Sequence, residues 1–272
     1  MSELAPRRRA HILEQVQRSG GVRVGELTQL FGVSDMTIRR DLDALARRGL
    51  LAKVHGGATR VGPAAEEPTF ASKSVRELTE KDAIAARALS LIQPGVAIAL
   101  TAGTTTWSLA RHLTSSPHLT VVTNSIPVAE VLHESQRPDQ TVILTGGVRT
   151  PSDALVGPVA VATIRSLHVD MLFMGVHGAD ARAGLTTPNL MEAETNRAFT
   201  GSARHLVVLA DHTKWGIVGL SQIAALSDVG TFVTDDGLPP DAQGILANRV
   251  GELLIASVSG GGNGSSDGSD GP

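Results

Sequence analysis

Cysteine is absent from the 272 residues, which excludes disulfides and thiolate metal sites and fits a reducing compartment such as the cytoplasm. No run of 18 or more apolar residues occurs, so no membrane-crossing helix is expected. The opening stretch "MSELAPRRRAHILEQVQRSGG" has charge but no apolar block with a cleavage site, so it does not read as a secretory signal. No repeat recurs at a fixed period. Lysine is scarce, four residues against twenty arginines, so each lysine carries information. The length allows one large or two medium domains, and an apolar fraction of 42% supplies a core.

Charge is unevenly spread. Residues 1–60 hold 11 Lys+Arg and 6 Asp+Glu, a net of +5, while the other 212 residues hold 13 and 21, a net of −8. A basic head on an acidic body suits a nucleic-acid-binding domain joined to a second domain.

Three helical patterns fill the head. Arg8 to Arg18 places Ile12, Leu13 and Val16 on one face, and Val24 to Phe31 does the same for Val24, Leu27, Leu30 and Phe31. "GVSD" breaks the pattern at Gly32, and Ser34 is placed to cap a third helix. There Ile38, Leu42 and Leu45 form a buried stripe, and Gly49 ends it. Ser34, Thr37, Arg39 and Arg40 fall off that stripe near the helix start. A helix–turn–helix presents this part of its second helix to the DNA major groove. Arginine there can donate two hydrogen bonds to guanine or contact a phosphate, and the hydroxyls can reach phosphates or base edges. The other role open to the arginines is a solvated pair partnered by Asp41 or Asp43. "LLAKVHGGATR" then reads as a hairpin wing bent at Gly56-Gly57, with Lys53, His55 and Arg60 available to DNA. The stretch "VSDMTIRRDLDALARRGLLAKVHGGA" resembles the winged helix–turn–helix of DeoR-type bacterial transcriptional regulators, through the pattern "TIRRDL…L…G…HGG".

"TRVGPAAEEPTFASKSV" reads as a linker. Beyond it "TEKDAIAARALSLI" is an amphipathic helix ended by Pro94-Gly95. Apolar runs at 96–100, 119–124, 141–147, 169–176, 205–211, 231–236 and 253–258 then alternate with helical patterns. Such alternation predicts a mostly parallel sheet covered on both faces, with ligands bound beyond the carboxyl ends of the strands. At those ends stand the turn Gly103-Thr104-Thr105 entering a helix, Thr123-Asn124, Gly146-Gly147, "GVHGADARAGLTTPN", and Asp211-His212-Thr213-Lys214. A Gly/Thr turn at a helix start offers N–H donors to an anion. Lys214 would supply a cation. His168, His177, His205 and His212 match no metal spacing, so no metal and no cofactor are expected; His177 and His212 read as hydrogen-bonding groups of a pocket.

These stations are also similar to the effector domain of the DeoR family, whose fold is similar to ribose-phosphate and glucosamine-phosphate isomerases. The resemblance runs from about Arg7 to Asp236 and implies an α/β fold sensing a phosphorylated sugar. By that resemblance Gly103, Thr104, Thr105 and Lys214 would hold the phosphate. Thr123, Asn124, Gly146, Gly147 and Asp211 would line the remainder. The chain departs from the family pattern at three places. Thr101-Ala102 replaces Asp-Ser before Gly-Thr-Thr, His212-Thr213 replaces Ser-Ser before lysine, and His177 stands where Asp or Asn is usual.

The expected division is 1–60 winged head, 61–75 linker, 76–258 effector domain and 259–272 low-complexity tail. The expected function is a repressor of a carbohydrate-use operon, binding operator DNA as a homo-oligomer and released by a phosphorylated sugar. The rivals are an isomerase-like enzyme with an added DNA-binding domain, needing Asp170, Glu192, Glu194 or Asp211 as base, and a DNA-binding scaffold without ligand.

Overall fold

The computed structural model describes residues 5–19, 21–48, 50–54, 56–60 and 69–258. Gly49, His55, residues 61–68 of the expected linker and the tail from Ser259 lie outside them.

The head runs α1 (Ala5–Ser19), β1 (Gly21–Arg23), α2 (Val24–Phe31), α3 (Asp35–Arg47), β2 (Leu51–Val54) and β3 (Gly57–Arg60). Most of the stripes read from the sequence meet in one core: Ile12 and Val16 of α1, Val24 and Leu27 of α2, and Ile38, Leu42 and Leu45 of α3, closed by Leu51 and Ala58, whereas Leu30, expected on the same face of α2, is 61% exposed. Between α2 and α3 the chain turns at Gly32, whose φ of 61° is left-handed and suits glycine. β2 and β3 form the expected wing, and β1 adds a third strand against β3.

α4 (Phe70–Ser74) occupies the end of the expected linker and docks on the body: Phe70 stands edge-on to Trp107 and its N–H donates to the Pro151 carbonyl. The body continues with α5 (Leu78–Leu89), β4 (Ala97–Leu100), α6 (Thr104–Leu113), β5 (Thr120–Thr123), α7 (Ile126–Glu134), β6 (Thr141–Leu144), β7 (Val148–Arg149) and β8 (Leu155–Val156). It ends with α8 (Pro158–Arg165), β9 (Val169–Gly175), β10 (Gly178–Asp180), β11 (Gly184–Thr187), α9 (Leu190–Ser202), β12 (Ala203–Leu209), β13 (Ser221–Ala224), β14 (Thr231–Asp235), α10 (Pro240–Ala247) and β15 (Glu252–Ala256).

Seven of these strands make one parallel sheet in the order β15-β14-β12-β9-β4-β5-β6. All seven apolar runs of the sequence are in it. Successive residues point to opposite faces, so Ala99, Leu172, Met174 and Val208 pack under α8, α9 and α10. Ile98, Leu100, Phe173 and Val207 pack under α5, α6 and α7. The chain runs from β4 outward through β5 to β6, then returns to β9 beside β4 and proceeds the other way. The β4/β9 crevice is therefore the topological switch point, where open α/β sheets bind ligands. A small sheet, β10-β11-β13, and the hairpin β7-β8 flank this carboxyl edge.

Candidate functional site

On the head, burial of one face of α3 leaves the other to solvent. Ser34 caps the helix: its Oγ accepts from the Thr37 N–H at 3.3 Å and shares a hydrogen bond with Thr37 Oγ1 at 2.9 Å. Arg39 is exposed and reaches back one turn to the Asp35 carboxylate. Arg40 is exposed and has no ion pair among the described residues. The acids considered as partners for the arginines are used elsewhere. Asp41 is 2% exposed and clamped by Arg8 Nη2 at 2.6 Å and Arg9 Nε at 2.6 Å, which ties α3 to α1. Asp43 takes Lys53 Nζ of the wing at 2.5 Å. Asp41 adjoins Arg40 in the chain and so does not face it, and although Asp43 stands four residues after Arg39, Asp35→Arg39 is the favoured i,i+4 order with the acid first. Ser34, Thr37, Arg39 and Arg40 thus share one solvent-facing helix start, with Lys53 held beside its far end. His55 lies outside the described residues, as does the Arg60 side chain.

On the body, the switch point is where the Gly/Thr turn sits. α6 begins at Thr104 with Gly103 as N-cap and no side-chain cap, so its first N–H groups remain as donors, backed by the helix dipole. The hydroxyl of Thr106 is spent on the turn itself, donating to the Thr101 carbonyl at 2.7 Å. A Cβ at Gly103 would crowd Thr106 Oγ1 at 3.2 Å, the hydroxyl that closes the turn, and would meet Gly175 Cα only at an ordinary 3.8 Å.

Thr123 and Asn124 are buried and engaged. Thr123 Oγ1 donates to Leu100 O at 2.7 Å. Asn124 accepts from Ala102 N–H at 2.9 Å and donates to Leu155 O at 3.0 Å. They brace the turn between β4 and α6. Gly147 (φ 125°) is left-handed, and its Cβ would meet Val156 O at 2.6 Å. It and Gly146 (φ 72°) pass the chain tightly from β6 into the hairpin. His177 stands half-buried between β9 and β10.

After β12, Asp211 is 2% exposed. Its Oδ1 accepts from the Thr213 N–H at 3.1 Å and from the Thr213 hydroxyl; its Oδ2 is buried with no hydrogen-bond partner. A buried carboxylate oxygen without a donor is costly, which marks Asp211 as a candidate for a donor from outside the chain. Lys214 is half-buried with no ion pair among the described residues. His212 Nδ1 meets Asp235 Oδ2 at 2.5 Å, and its N–H donates to Asp235 Oδ1 at 2.7 Å. Burial alone would lower the His212 value, but the hydrogen bond and charge of Asp235 outweigh it and raise it.

Lys81, on α5, escaped the sequence reading. It is 4% exposed, and its Nζ donates to the carbonyls of Lys73 at 2.8 Å and Arg76 at 2.5 Å. Burial pulls its pKa down to about 8, the nearby Asp211 charge pulls upward, and Lys214 pulls down again. Two ammonium groups and a carboxylate therefore share one electrostatic environment. The signal was available: residues 81, 84, 85 and 88 form the buried stripe of α5, and a scarce lysine occupies its first position.

The acids needed by an enzyme are dispersed. Asp170 lies at the start of β9, at the opposite edge of the sheet, accepting from Ala97 N–H at 3.0 Å. Glu194 lines a groove at that same edge with Arg165, His168 and Arg197. Glu192 accepts hydroxyls from Ser152, Thr150 and, at 2.9 Å, Thr187. His205 bonds Thr231 Oγ1 at 2.9 Å. Among the described residues, no three of His, Asp or Glu gather as a metal site, and no helix is long and apolar enough to cross a membrane.

Known proteins match over both regions. Residues 8–63 match the DeoR-like helix-turn-helix domain, and residues 76–236 the DeoR C terminal sensor domain. The chain is 39% identical over 250 residues to an uncharacterized HTH-type transcriptional regulator, YgbI, of Escherichia coli K12, covering 92% of this chain and 97% of that one. It is 38% identical over 241 residues to the HTH-type transcriptional regulator GlpR of Haloferax volcanii, covering 88% and 93%. It is 31% identical over 251 residues to the HTH-type transcriptional repressor CsqR of Escherichia coli K12, covering 92% and 94%. Among solved structures, ribose 5-phosphate isomerase A of Methanocaldococcus jannaschii aligns at TM-score 0.36 and 17% identity, over 50% of this chain and 53% of its own.

Proposed function

We propose a function from a fixed premise: this chain belongs to the DeoR family of helix-turn-helix transcriptional regulators. It carries a DNA-binding head and a sensor domain. Our reading is a cytoplasmic repressor of a carbohydrate-use operon that leaves its operator when a phosphorylated sugar fills the pocket at the switch point. CsqR, similar over nearly its whole length, is named a repressor, which supports the sign. Ser34, Thr37, Arg39 and Arg40 would face the major groove, and Lys53 and His55 the backbone beside it. Two copies, in a dimer or tetramer, would read a near-palindromic site.

The observation that carries the sensor reading is the unsatisfied Asp211 Oδ2 beside two lysines, Lys81 and Lys214. A phosphate takes the N–H groups of Gly103, Thr104 and Thr105 with the ammonium of Lys214, and a sugar hydroxyl donates to Asp211. Thr123, Asn124, Gly146 and Gly147 shape the walls, and His177 faces the sugar end. An isomerase instead needs a carboxylate free to move a proton at this pocket. Asp170 and Glu194 are at the wrong edge, Glu192 is held by hydroxyls, and Asp211, the one of the four at the pocket, has one oxygen held by Thr213 and the other buried. A thermal-shift screen of sugar phosphates tests the reading. A bound ligand at about 100 times its Kd adds about 2.7 kcal/mol, so a hit raises Tm, and the same compound must release operator DNA. No shift with any sugar phosphate would contradict it.

A further inference from the structure

Among the described residues, Arg23 of the head forms ion pairs with the body. Arg23 is the last residue of β1 and the N-cap of α2, at the junction of wing and helix–turn–helix. It pairs with Gly57 of the wing. Its guanidinium Nη2 lies 2.9 Å from Glu77 Oε2 and 3.5 Å from Glu80 Oε1. Both carboxylates stand at the start of α5, where Glu77 is the N-cap. One residue further, the buried Lys81 ammonium feels the charges of Asp211 and Lys214. A single helix turn therefore holds the head with its acids and the sensor site with its ammonium.

We propose that Arg23 is the coupling residue of this regulator, an ionic latch on Glu77 and Glu80 that ties the position of the winged head to occupancy of the pocket through Lys81. The proposal rests on the sensor reading above and names how that site acts on the head.

Three observations support it. First, the backbone at the latch is held in an uncommon conformation. Glu77 has φ 48° and ψ 44°, left-handed for a residue with a side chain, and such geometry persists only where surroundings enforce it. Second, what enforces it includes Lys81, whose N–H donates to Glu77 O at 3.0 Å and whose Nζ grips the Lys73 and Arg76 carbonyls on the chain leading into Glu77. An anion in the pocket draws that ammonium from those carbonyls, which frees the turn carrying the latch. Third, the latch and pocket share one field. Glu77 feels Arg23, Glu80, Asp211 and His212, and burial holds its carboxyl above the usual range even with Arg23 present. Without Arg23, the acids Glu77, Glu80 and Asp211 would lose one of the positive charges that offset their repulsion.

The absence of cysteine makes a direct test simple. Spin labels at Gln29→Cys on α2 and Ser115→Cys after α6, both exposed, report the head–body distance in the full chain. Wild type should give a narrow distribution without ligand, Arg23→Ala a broad one, and Arg23→Lys a narrow one again. Glu77→Gln with Glu80→Gln should broaden it as Arg23→Ala does. The probes are ribose 5-phosphate, fructose 6-phosphate, glucose 6-phosphate and inorganic phosphate. Whichever raises the wild-type Tm should broaden the wild-type distribution and leave Arg23→Ala unchanged. Direct titration should show that Arg23→Ala binds this probe at least as tightly as wild type, because no latch has to open first. The probe's effect on operator affinity, expected at 5- to 150-fold in wild type, should fall at least fivefold in the variant. Identical distributions in wild type and Arg23→Ala overturn the latch. So does loss of probe binding in Arg23→Ala, which would make Arg23 a ligand contact. A wild type that binds none of the probes overturns the pocket reading and the coupling with it, while the ligand-free distributions still decide the latch.

Discussion

Head and body both carry cations near a helix start, but in opposite settings. On the head, Arg39 and Arg40 stand in solvent at a capped helix, and their neighbours Asp41 and Asp43 are spent on holding α1 and the wing. In the body, the α6 start is uncapped, Lys81 is buried, Lys214 is half-buried and Asp211 keeps an unsatisfied oxygen. An exposed cationic face suits a long polyanion, where many contacts add and salt weakens them together. An enclosed one suits a single small anion, where each charge matters more because water is excluded. The difference teaches where to look for function in each half: in the side chains left unpaired outside, and in the ones left unsatisfied inside.

The largest effect is expected from the head's own scaffold. Asp41→Ala removes the buried carboxylate that Arg8 and Arg9 both hold, and breaking such a pair costs about 3–5 kcal/mol. Urea unfolding of the full chain should show the head melting well before the body. An unchanged profile would mean that α3 needs no clamp, and would erase the contrast between buried structural arginines and exposed reading ones. Next comes the DNA face itself. Arg40→Ala should weaken operator binding by about 1–3 kcal/mol if it makes a bidentate base contact. Arg39→Ala should cost less, because Arg39 must first leave Asp35. Gel shifts at two salt concentrations separate base reading from phosphate contact, since only the latter flattens the salt dependence. Equal binding by both variants and wild type would move the reading face elsewhere.

Much of this contrast was legible before any coordinates. The three head helices follow from apolar stripes and the Ser34 cap, and the seven parallel strands follow from short apolar runs that are buried on both faces. What was not legible depends on partners far along the chain. β1 is three residues, visible only because Gly57, Ala58 and Thr59 pair with it. Gly178-Ala179-Asp180 and Gly184 to Thr187 look like loop, yet they pair with each other, and the second pairs with Ser221–Ala224. Thr123 and Asn124 were expected as pocket lining, and their side chains are engaged with backbone groups. Lys81 could have been found as a lysine in an apolar stripe. The strand order, which puts Gly103 against Gly175 at the switch point, is a tertiary fact with no local signal.

A smaller effect concerns pH. His212 is raised, so its contribution is full below about 6.5 and is lost as pH rises through the folded value. Asp235, which burial alone would raise, is lowered by its bonds to His212, so its contribution holds above about 3.8 and is lost as pH falls through the folded value. The Tm advantage of wild type over His212→Asn should therefore peak between about pH 4 and 6.5. A difference that does not vary with pH would show that the pair is only packed.

The most direct measurement is operator affinity with and without the sugar phosphates that shift Tm, for wild type and Lys214→Ala. Losing a hydrogen bond to a charged group costs roughly 1.5–3 kcal/mol, a 10- to 150-fold loss of effector affinity. Lys214→Ala should hold its operator as wild type does yet fail to let go at effector concentrations that release wild type. Normal release by Lys214→Ala would make Lys214 a surface lysine and contradict the pocket at the switch point.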